Sequence, residues 1–308
     1  MIDVALSRRS IPADAHVTPW RAPDGWSLRH FAWAAPQARG SILFQGGRGD
    51  IFEKYLESFV RWHDSGWTVE SFDWRGQGGS GRLAGGCGHI DRFAAFTEDL
   101  GAFWADWIAR TPAPHVVIGH SMGGHLILRA LAEGLIAPAA MVLVAPMLGL
   151  RAPISTGFGE RYARLMRGLG NPARPAWKGN ERPYTLTARQ SLLTHDRPRY
   201  EDELWWHAHD PAIVTGPPSW NWLVQAFEST RTLNADPRLA TLTTPLLMLV
   251  ADADQLVDPR AALAVSGRLP NVRVVRFGSE SAHEILREAD PVRDRALGEI
   301  DAFLQANA

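Results

Sequence analysis

Apolar runs of five to seven residues recur along the chain, separated by longer stretches in which apolar positions return every three or four residues. The runs are 41–45 (SILFQ), 68–72 (TVESF), 115–119 (HVVIG), 140–145 (AMVLVA), 245–251 (PLLMLVA) and 272–277 (VRVVRF). Several lack the in–out alternation of a half-exposed strand. That is the pattern of parallel strands covered on both faces. Between them, 53–65, 91–110, 122–133, 259–268 and 290–305 read as helices. Strand–helix alternation predicts an α/β class, a mostly parallel, doubly wound sheet. The first 35 residues alternate around Pro23-Asp24-Gly25 and predict an added N-terminal antiparallel hairpin.

The alternation stops near residue 150 and resumes near 240. The segment between holds loop signals (RAPISTG, GNPARPAWKGN, TGPPSWNW) and helical fragments (GERYARLMRGL, TARQSLLTH, YEDELWWHA, SWNWLVQAFEST). The predicted organisation is a first core part (1–150), a mainly helical insertion (151–238) and a second core part (239–308). Residues 151–199 carry ten Lys/Arg and three Asp/Glu, a local excess of +7.

Composition adds exclusions. Of 308 residues, 45% are hydrophobic and 21% charged, enough apolar material for a sizeable core. A net charge of −1 gives no reason to expect a nucleic-acid partner, and nothing implies a protein partner. The single cysteine, Cys87, cannot form an internal disulfide. MIDVALSRRSIPADAH lacks the apolar region of a signal peptide. The longest uncharged apolar stretch, 134–150, has 17 residues and is broken by Pro138 and Pro146. The expectation is a soluble cytoplasmic protein, with peripheral contact to the inner membrane surface left open.

Candidate chemistry centres on Gly119-His120-Ser121-Met122-Gly123, a G-x-S-x-G stretch between an apolar strand and a helical pattern. A tight strand-to-helix turn needs small residues at both glycines and lifts the serine hydroxyl above the sheet edge. A serine hydroxyl needs a base, and the base needs an orienting acid. After the run 245–251 stand Asp252, Asp254 and Asp258. Asp254 is chosen because it lies on the loop crest. Asp252 ends the strand, and Asp258 before Pro259 reads as a helix cap. His283 follows the last strand. His120 reads as support for the turn.

No metal site is expected: His207 and His209 lack a third ligand, and HEILR is not H-E-x-x-H. Gly76-Gln77-Gly78-Gly79-Ser80-Gly81 satisfies G-x-G-x-x-G. A second glycine-rich loop follows where a helix should begin, so it reads as a flexible loop beside the active site and not as a dinucleotide site.

These residues resemble the α/β-hydrolase superfamily, and within it the serine aminopeptidase S33 or hydrolase 4 group that holds monoacylglycerol lipases and bacterial lysophospholipase L2. The resemblance rests on GHSMGG, FDWRGQGGSGR, ADADQLVDP and SAHEILREADPVRDRAL, and covers roughly 15–150 and 240–305. It implies an α/β-hydrolase fold with the insertion as a cap, and a catalytic triad of Ser121, Asp254 and His283. It also implies ester hydrolysis through an acyl-enzyme without a cofactor. The group's His-Gly before the oxyanion donor is missing here, where the chain reads Phe44-Gln45-Gly46-Gly47-Arg48-Gly49-Asp50. Counting back from Lys54-Tyr55 puts the donor amide at Arg48, with Gly47 the alternative; the second donor is Met122. Dehalogenases and epoxide hydrolases of this fold need an acidic nucleophile, and position 121 is serine.

The substrate expectation is a small-molecule or lipid ester, in particular a lysophospholipid or monoacylglycerol. The insertion holds five of the 13 tryptophans. Trp205, Trp206, Trp220 and Trp222 are the candidates for an apolar acyl pocket, although most such residues build the insertion's own core. The +7 segment is read either as a site for an anionic headgroup or bilayer or as a solvated face. The alternatives are a general carboxylesterase or peptidase and a non-catalytic ligand-binding protein of this fold.

Overall fold

The structure, a computed structural model, describes residues 8–151, 155–178 and 189–308. Eight strands form one sheet: β1 (His16–Arg21), β2 (Ser27–Trp33), β3 (Gly40–Gln45), β4 (Trp67–Phe72), β5 (His115–His120), β6 (Ala140–Val144), β7 (Leu246–Ala251) and β8 (Val272–Phe277). Their order is β1-β2-β4-β3-β5-β6-β7-β8. β1, β2 and β4 pair antiparallel; the pairs from β4–β3 to β7–β8 are parallel. The expected hairpin is present. Its turn places Gly25 at φ 87°, with the Gly25 amide donating to the Ala22 carbonyl.

The unbroken apolar runs are explained by two covered faces. Ile42, Phe44, Val116 and Ile118 point to one side, where α1 (Leu56–Asp64) and α9 (Asp290–Asn307) pack Phe59, Trp62, Leu297 and Phe303 against them. Leu43 and Val117 point to the other side. There they meet α2 (Ala94–Arg110) and α3 (Met122–Ala132) through Phe96, Leu100, Phe103 and Leu126, in a core that also holds Val265 of α8 (Pro259–Ser266). Successive strand residues thus feed two cores, with a period of two. The helix expected over 53–65 begins as a 3₁₀ turn, Phe52–Tyr55, before α1.

Between β6 and β7, the described residues contribute helices and no strand of the sheet. They are α4 (Thr156–Gly168), α5 (Arg189–Leu193), α6 (Arg197–His209) and α7 (Trp220–Ala235). Three start on side-chain caps. Ser155, Asp196 and Ser219 accept from the amides of Phe158, Arg199 and Trp222. The fragments GERYARLMRGL, YEDELWWHA and SWNWLVQAFEST fall on α4, α6 and α7. Parts of RAPISTG, GNPARPAWKGN and TARQSLLTH lie outside the described residues.

The insertion is tied to the core through apolar packing and through ion pairs. α7 buries Trp222, Val224, Phe227 and Leu233 in the α2–α3 core. On α6, the Arg199 guanidinium bridges Glu57 of α1 and Asp290 of α9 at 2.8 and 2.6 Å. No helix among the described residues is long and apolar enough to cross a membrane.

Candidate active site

The elbow is built from strand geometry and missing side chains. β5 ends at His120, and α3 begins at Met122. Ser121 between them has φ 52° and ψ −117°, left-handed backbone that a residue with a side chain holds only under strain. A Cβ on Gly123 would lie 2.2 Å from the Gln45 carbonyl oxygen. One on Gly119 would lie 2.7 Å from the Gly124 amide. The two glycines let the turn close, which is the physical content of the motif.

Three side chains from separate loops converge at this turn. The Ser121 hydroxyl lies 2.8 Å from His283 Nε2. His283 Nδ1 lies 2.5 Å from Asp254 Oδ2. The other oxygen of Asp254 accepts from the amides of Leu256 and Val257 at 2.7 and 3.1 Å. With Nδ1–H given to Asp254, Nε2 is left to accept the serine proton. All three residues are buried. Burial opposes a charged imidazole, yet the charge and hydrogen bond of Asp254 outweigh it and raise the His283 pKa above 6.5. Burial likewise opposes the Asp254 carboxylate, and His283 with the two amides holds it below its ordinary range. Such a hydroxyl–imidazole–carboxylate chain can move a proton off the hydroxyl and stabilise the imidazolium that forms.

The other aspartates are engaged differently. Asp252 pairs with Arg276 at 3.0 Å on the surface, and Asp258 caps α8 by accepting from the Arg260 amide.

The loop 46–50 runs directly beside the serine. A Cβ on Gly47 would lie 3.0 Å from Ser121 Cβ. The Gly47 amide donates to Asp50 Oδ2 at 2.7 Å, so it is turned to that carboxylate. Of the two amides expected as loop donors, that of Gly47 is therefore engaged within the loop. Met122 opens α3, where the first amides have no carbonyl within the helix to serve. The glycine-rich stretch 76–81 backs this loop. Gln77 accepts from the Gly49 amide, and the Gly78 amide donates to Thr215. No helix starts until Ala94.

A buried ion cluster underlies the site, and the sequence analysis missed it. Lys54 Nζ lies 2.5 Å from Asp50, 2.6 Å from Glu284 and 3.3 Å from Glu203. Arg287 pairs with Glu284, and Arg189 with Glu203 at 2.6 Å. Burial opposes every one of these charges. Mutual attraction nonetheless keeps Asp50, Glu203 and Glu284 below the usual carboxylate range and Lys54, Arg189 and Arg287 above theirs. Three anions face three cations. The available signals were Asp50–Lys54 at i,i+4 and Glu284–Arg287 at i,i+3 beside His283, each of which reads equally well as a solvated pair.

His120 joins the cluster to the serine turn, in line with its expected supporting role. Its Nδ1 lies 2.8 Å from the Tyr55 hydroxyl and 3.1 Å from Asp50. Its Nε2 lies 3.3 Å from the His283 carbonyl.

The pocket over Ser121 is lined by Met147, Leu150, Trp177, Trp222, Leu223 and Val257 on its apolar side, and by Arg48, Lys54 and Arg189 among its polar groups. Of the four tryptophans expected there, Trp222 alone lines it. Trp220 instead packs on Tyr162, ring centroids 5.6 Å apart. Trp205 stacks on His209 at 3.7 Å, and Trp206 donates to the Arg8 carbonyl. These three face other elements because α6 turns that side toward the N-terminal segment and α7 turns Trp220 toward α4. Among the described residues, no group of three or more His, Cys, Asp or Glu could hold a metal.

A mostly parallel eight-stranded sheet with a strand–serine–helix elbow, an aspartate after β7 and a histidine after β8 defines an α/β-hydrolase. The chain belongs to the serine aminopeptidase S33 family (Hydrolase_4), whose model matches residues 36–290. It is similar to lysophospholipase L2 of Escherichia coli strain K12, 31% identical over 286 residues, covering 85% of this chain and 79% of that protein. It is also similar to the probable lysophospholipase L2 of Haemophilus influenzae, 26% identical over 287 residues, covering 92% and 89%. Among solved structures, a soluble variant of monoglyceride lipase from Saccharomyces cerevisiae superposes with a TM-score of 0.77. It is 17% identical, with 98% of this chain and 97% of that one covered, a likeness of fold.

Proposed function

We propose that this protein hydrolyses carboxylic esters through an acyl-enzyme, with a lysophospholipid or monoacylglycerol as substrate. The observation that carries the reading is the buried run from Ser121 through His283 to Asp254, at 2.8 and 2.5 Å. In this reading Ser121 Oγ attacks the ester carbonyl carbon while His283 Nε2 takes its proton. Asp254 holds the imidazole tautomer and stabilises its charge. The amides of Arg48 and Met122 receive the oxyanion. His283 then returns the proton to the departing alcohol oxygen. Water, deprotonated by the same imidazole, releases the fatty acid. No cofactor enters these steps. The relatives named lysophospholipase and the apolar side of the pocket support a lipid acyl group.

One observation favours a second reading, an esterase without headgroup preference. Arg189, the basic residue of the 151–199 segment that lines the pocket, is paired with Glu203. Other cations of that segment are also engaged: Arg164 with Glu160 and Glu228, and Arg199 with Glu57, Asp196 and Asp290.

One assay separates the readings. Purified protein is given p-nitrophenyl acetate and dodecanoate, lysophosphatidylcholine and monoacylglycerol, with Ser121→Ala as blank. Turnover that needs Ser121 and prefers the long chain is the expected result. Activity confined to short esters would favour the second reading, and none on any ester would sink both.

A further inference from the structure

Arg48 does more in the loop beside Ser121 than present an amide. Its guanidinium lines the pocket, donates to the Gly216 carbonyl at 3.1 Å and lies over the Trp222 ring at 5.6 Å. The core loop 46–50 and the segment leading into α7 thus hold it from two sides, which fixes the cation before any ligand arrives. Gly88 leaves it room, since a Cβ there would lie 3.1 Å from Arg48 Nη1. The residue before it, Gly47, abuts the nucleophile: a Cβ on Gly47 would lie 3.0 Å from Ser121 Cβ. The cation is therefore one residue along the chain from the reacting centre.

The other basic side chains of the pocket, Lys54 and Arg189, are already balanced in the cluster by Asp50, Glu203 and Glu284. Arg48 is not a member of that cluster. Two neutral donors stand in the same pocket wall. Trp177 and Trp222 both line it, and the indole N–H of each is shielded from solvent without a hydrogen-bond partner among the described residues. A shielded donor left unpaired is costly, and a ligand oxygen is one way to satisfy it. Other indoles of the chain are in the same condition away from the pocket, so these donors support a site only together with the cation. A planar guanidinium matches the paired oxygens of a phosphate. The remaining wall of Met147, Leu150, Leu223 and Val257 is apolar and suits an acyl chain.

We propose that the Arg48 side chain binds the phosphate of a phosphodiester-bearing leaving alcohol and so sets the preference for a lysophospholipid over a monoacylglycerol. The proposal rests on the esterase reading for the place of the ester at Ser121. In a lysophospholipid acylated at the end of the glycerol, three carbons separate the ester oxygen from the phosphate oxygen. That short tether suits a cation beside the oxyanion loop better than one deep in the insertion. The second reading, an esterase without headgroup preference, followed from the pairing of the insertion's cations; Arg48 comes from the core and is untouched by that argument.

The test uses the full chain in the Ser121→Ala background, titrated by calorimetry with hexanoyl lysophosphatidylcholine and with monohexanoylglycerol, both below the concentrations at which they form micelles. The phospholipid is expected to bind more tightly. Arg48→Gln keeps the backbone amide and should weaken phospholipid binding at least about tenfold and glycerol-ester binding less than about twofold. Arg48→Lys keeps the charge without the planar fork and should recover part of the loss. An unchanged Tm is the control for folding. Inorganic phosphate should compete only at far higher concentration, because it lacks the acyl chain. Four results would overturn the proposal: no binding of either ester, equal binding of both by the parent, equal losses on both in Arg48→Gln, or inorganic phosphate bound as tightly as the phospholipid. These are binding measurements without the serine hydroxyl, so their failure is distinct from that of the esterase reading, which stands on Ser121-dependent turnover of p-nitrophenyl esters.

Discussion

The run Ser121–His283–Asp254 and the ion cluster around Lys54 lie side by side, and the adjacent residues His283 and Glu284 belong one to each. Both assemblies are buried, yet they are satisfied in different ways. In the cluster, Lys54 is surrounded by Asp50, Glu203 and Glu284, and Arg189 and Arg287 complete a balance of three against three. Removing one member leaves its partners buried without compensation. In the serine assembly, Asp254 is fixed by two amides and the imidazole. Ser121 sits on strained backbone, and its hydroxyl is paired with His283. One assembly holds loops in place. The other keeps a proton acceptor aimed at a hydroxyl.

The largest effects should therefore appear in turnover for one assembly and in stability for the other. Ser121→Ala should lower kcat roughly 10⁴–10⁶-fold. Its Tm should match the parent, since only a hydroxyl with no structural partner beyond His283 is lost. Asp254→Asn should lower kcat by about 10⁴, because the imidazole loses the group that sets its tautomer. Steady-state kinetics beside calorimetry on the same preparations would check both. A large fall in Tm for Ser121→Ala would erase the contrast.

Lys54→Met probes the other side. It leaves Asp50, Glu203 and Glu284 facing one another with one cation fewer, at a cost of about 3–5 kcal/mol in unfolding free energy. Denaturant titration would read that loss, and turnover per folded molecule should fall far less than in Ser121→Ala. The paired change Lys54→Met/Glu284→Gln removes one charge of each sign and should recover part of the stability. An unchanged denaturation midpoint in Lys54→Met would mean that the cluster does not hold the loops.

The two assemblies also differ in how far the sequence revealed them. Ser121, Asp254 and His283 stand at the ends of β5, β7 and β8, and those strands were legible because two-sided burial leaves continuous apolar runs. Glycines 119 and 123 marked the turn because no side chain fits there. The ion cluster gave no comparable pattern. Its members come from the loop 46–50 and the turn Phe52–Tyr55, from α5 and α6 in the insertion, and from the segment after β8. A charged residue in sequence looks the same whether it ends in water or in a buried pair. The insertion shows the same limit. Its helices were legible as fragments between loop signals, whereas the partners of its tryptophans depended on which way α6 and α7 turn. Trp222 could not be told from Trp220 two residues away.

The smallest effect tests whether the assemblies are linked through space. The charges of Asp254, Glu284 and Asp50 outweigh burial and raise the His283 pKa above 6.5. A general base must be neutral, so kcat/KM should fall as pH drops through a midpoint above 6.5, and the base form should fill as pH rises past it. Asp50→Asn keeps an acceptor for Gly47 and Tyr55 but deletes one of the negative charges that favour the imidazolium. The midpoint should move to lower pH, and at pH 6 the variant should retain a larger fraction of its own plateau rate than the parent does. A pH–rate profile on a short soluble ester reads this directly. If the acid limb stays where it was, or moves upward, the field of the cluster does not reach the base, and the two assemblies share a loop without sharing electrostatics.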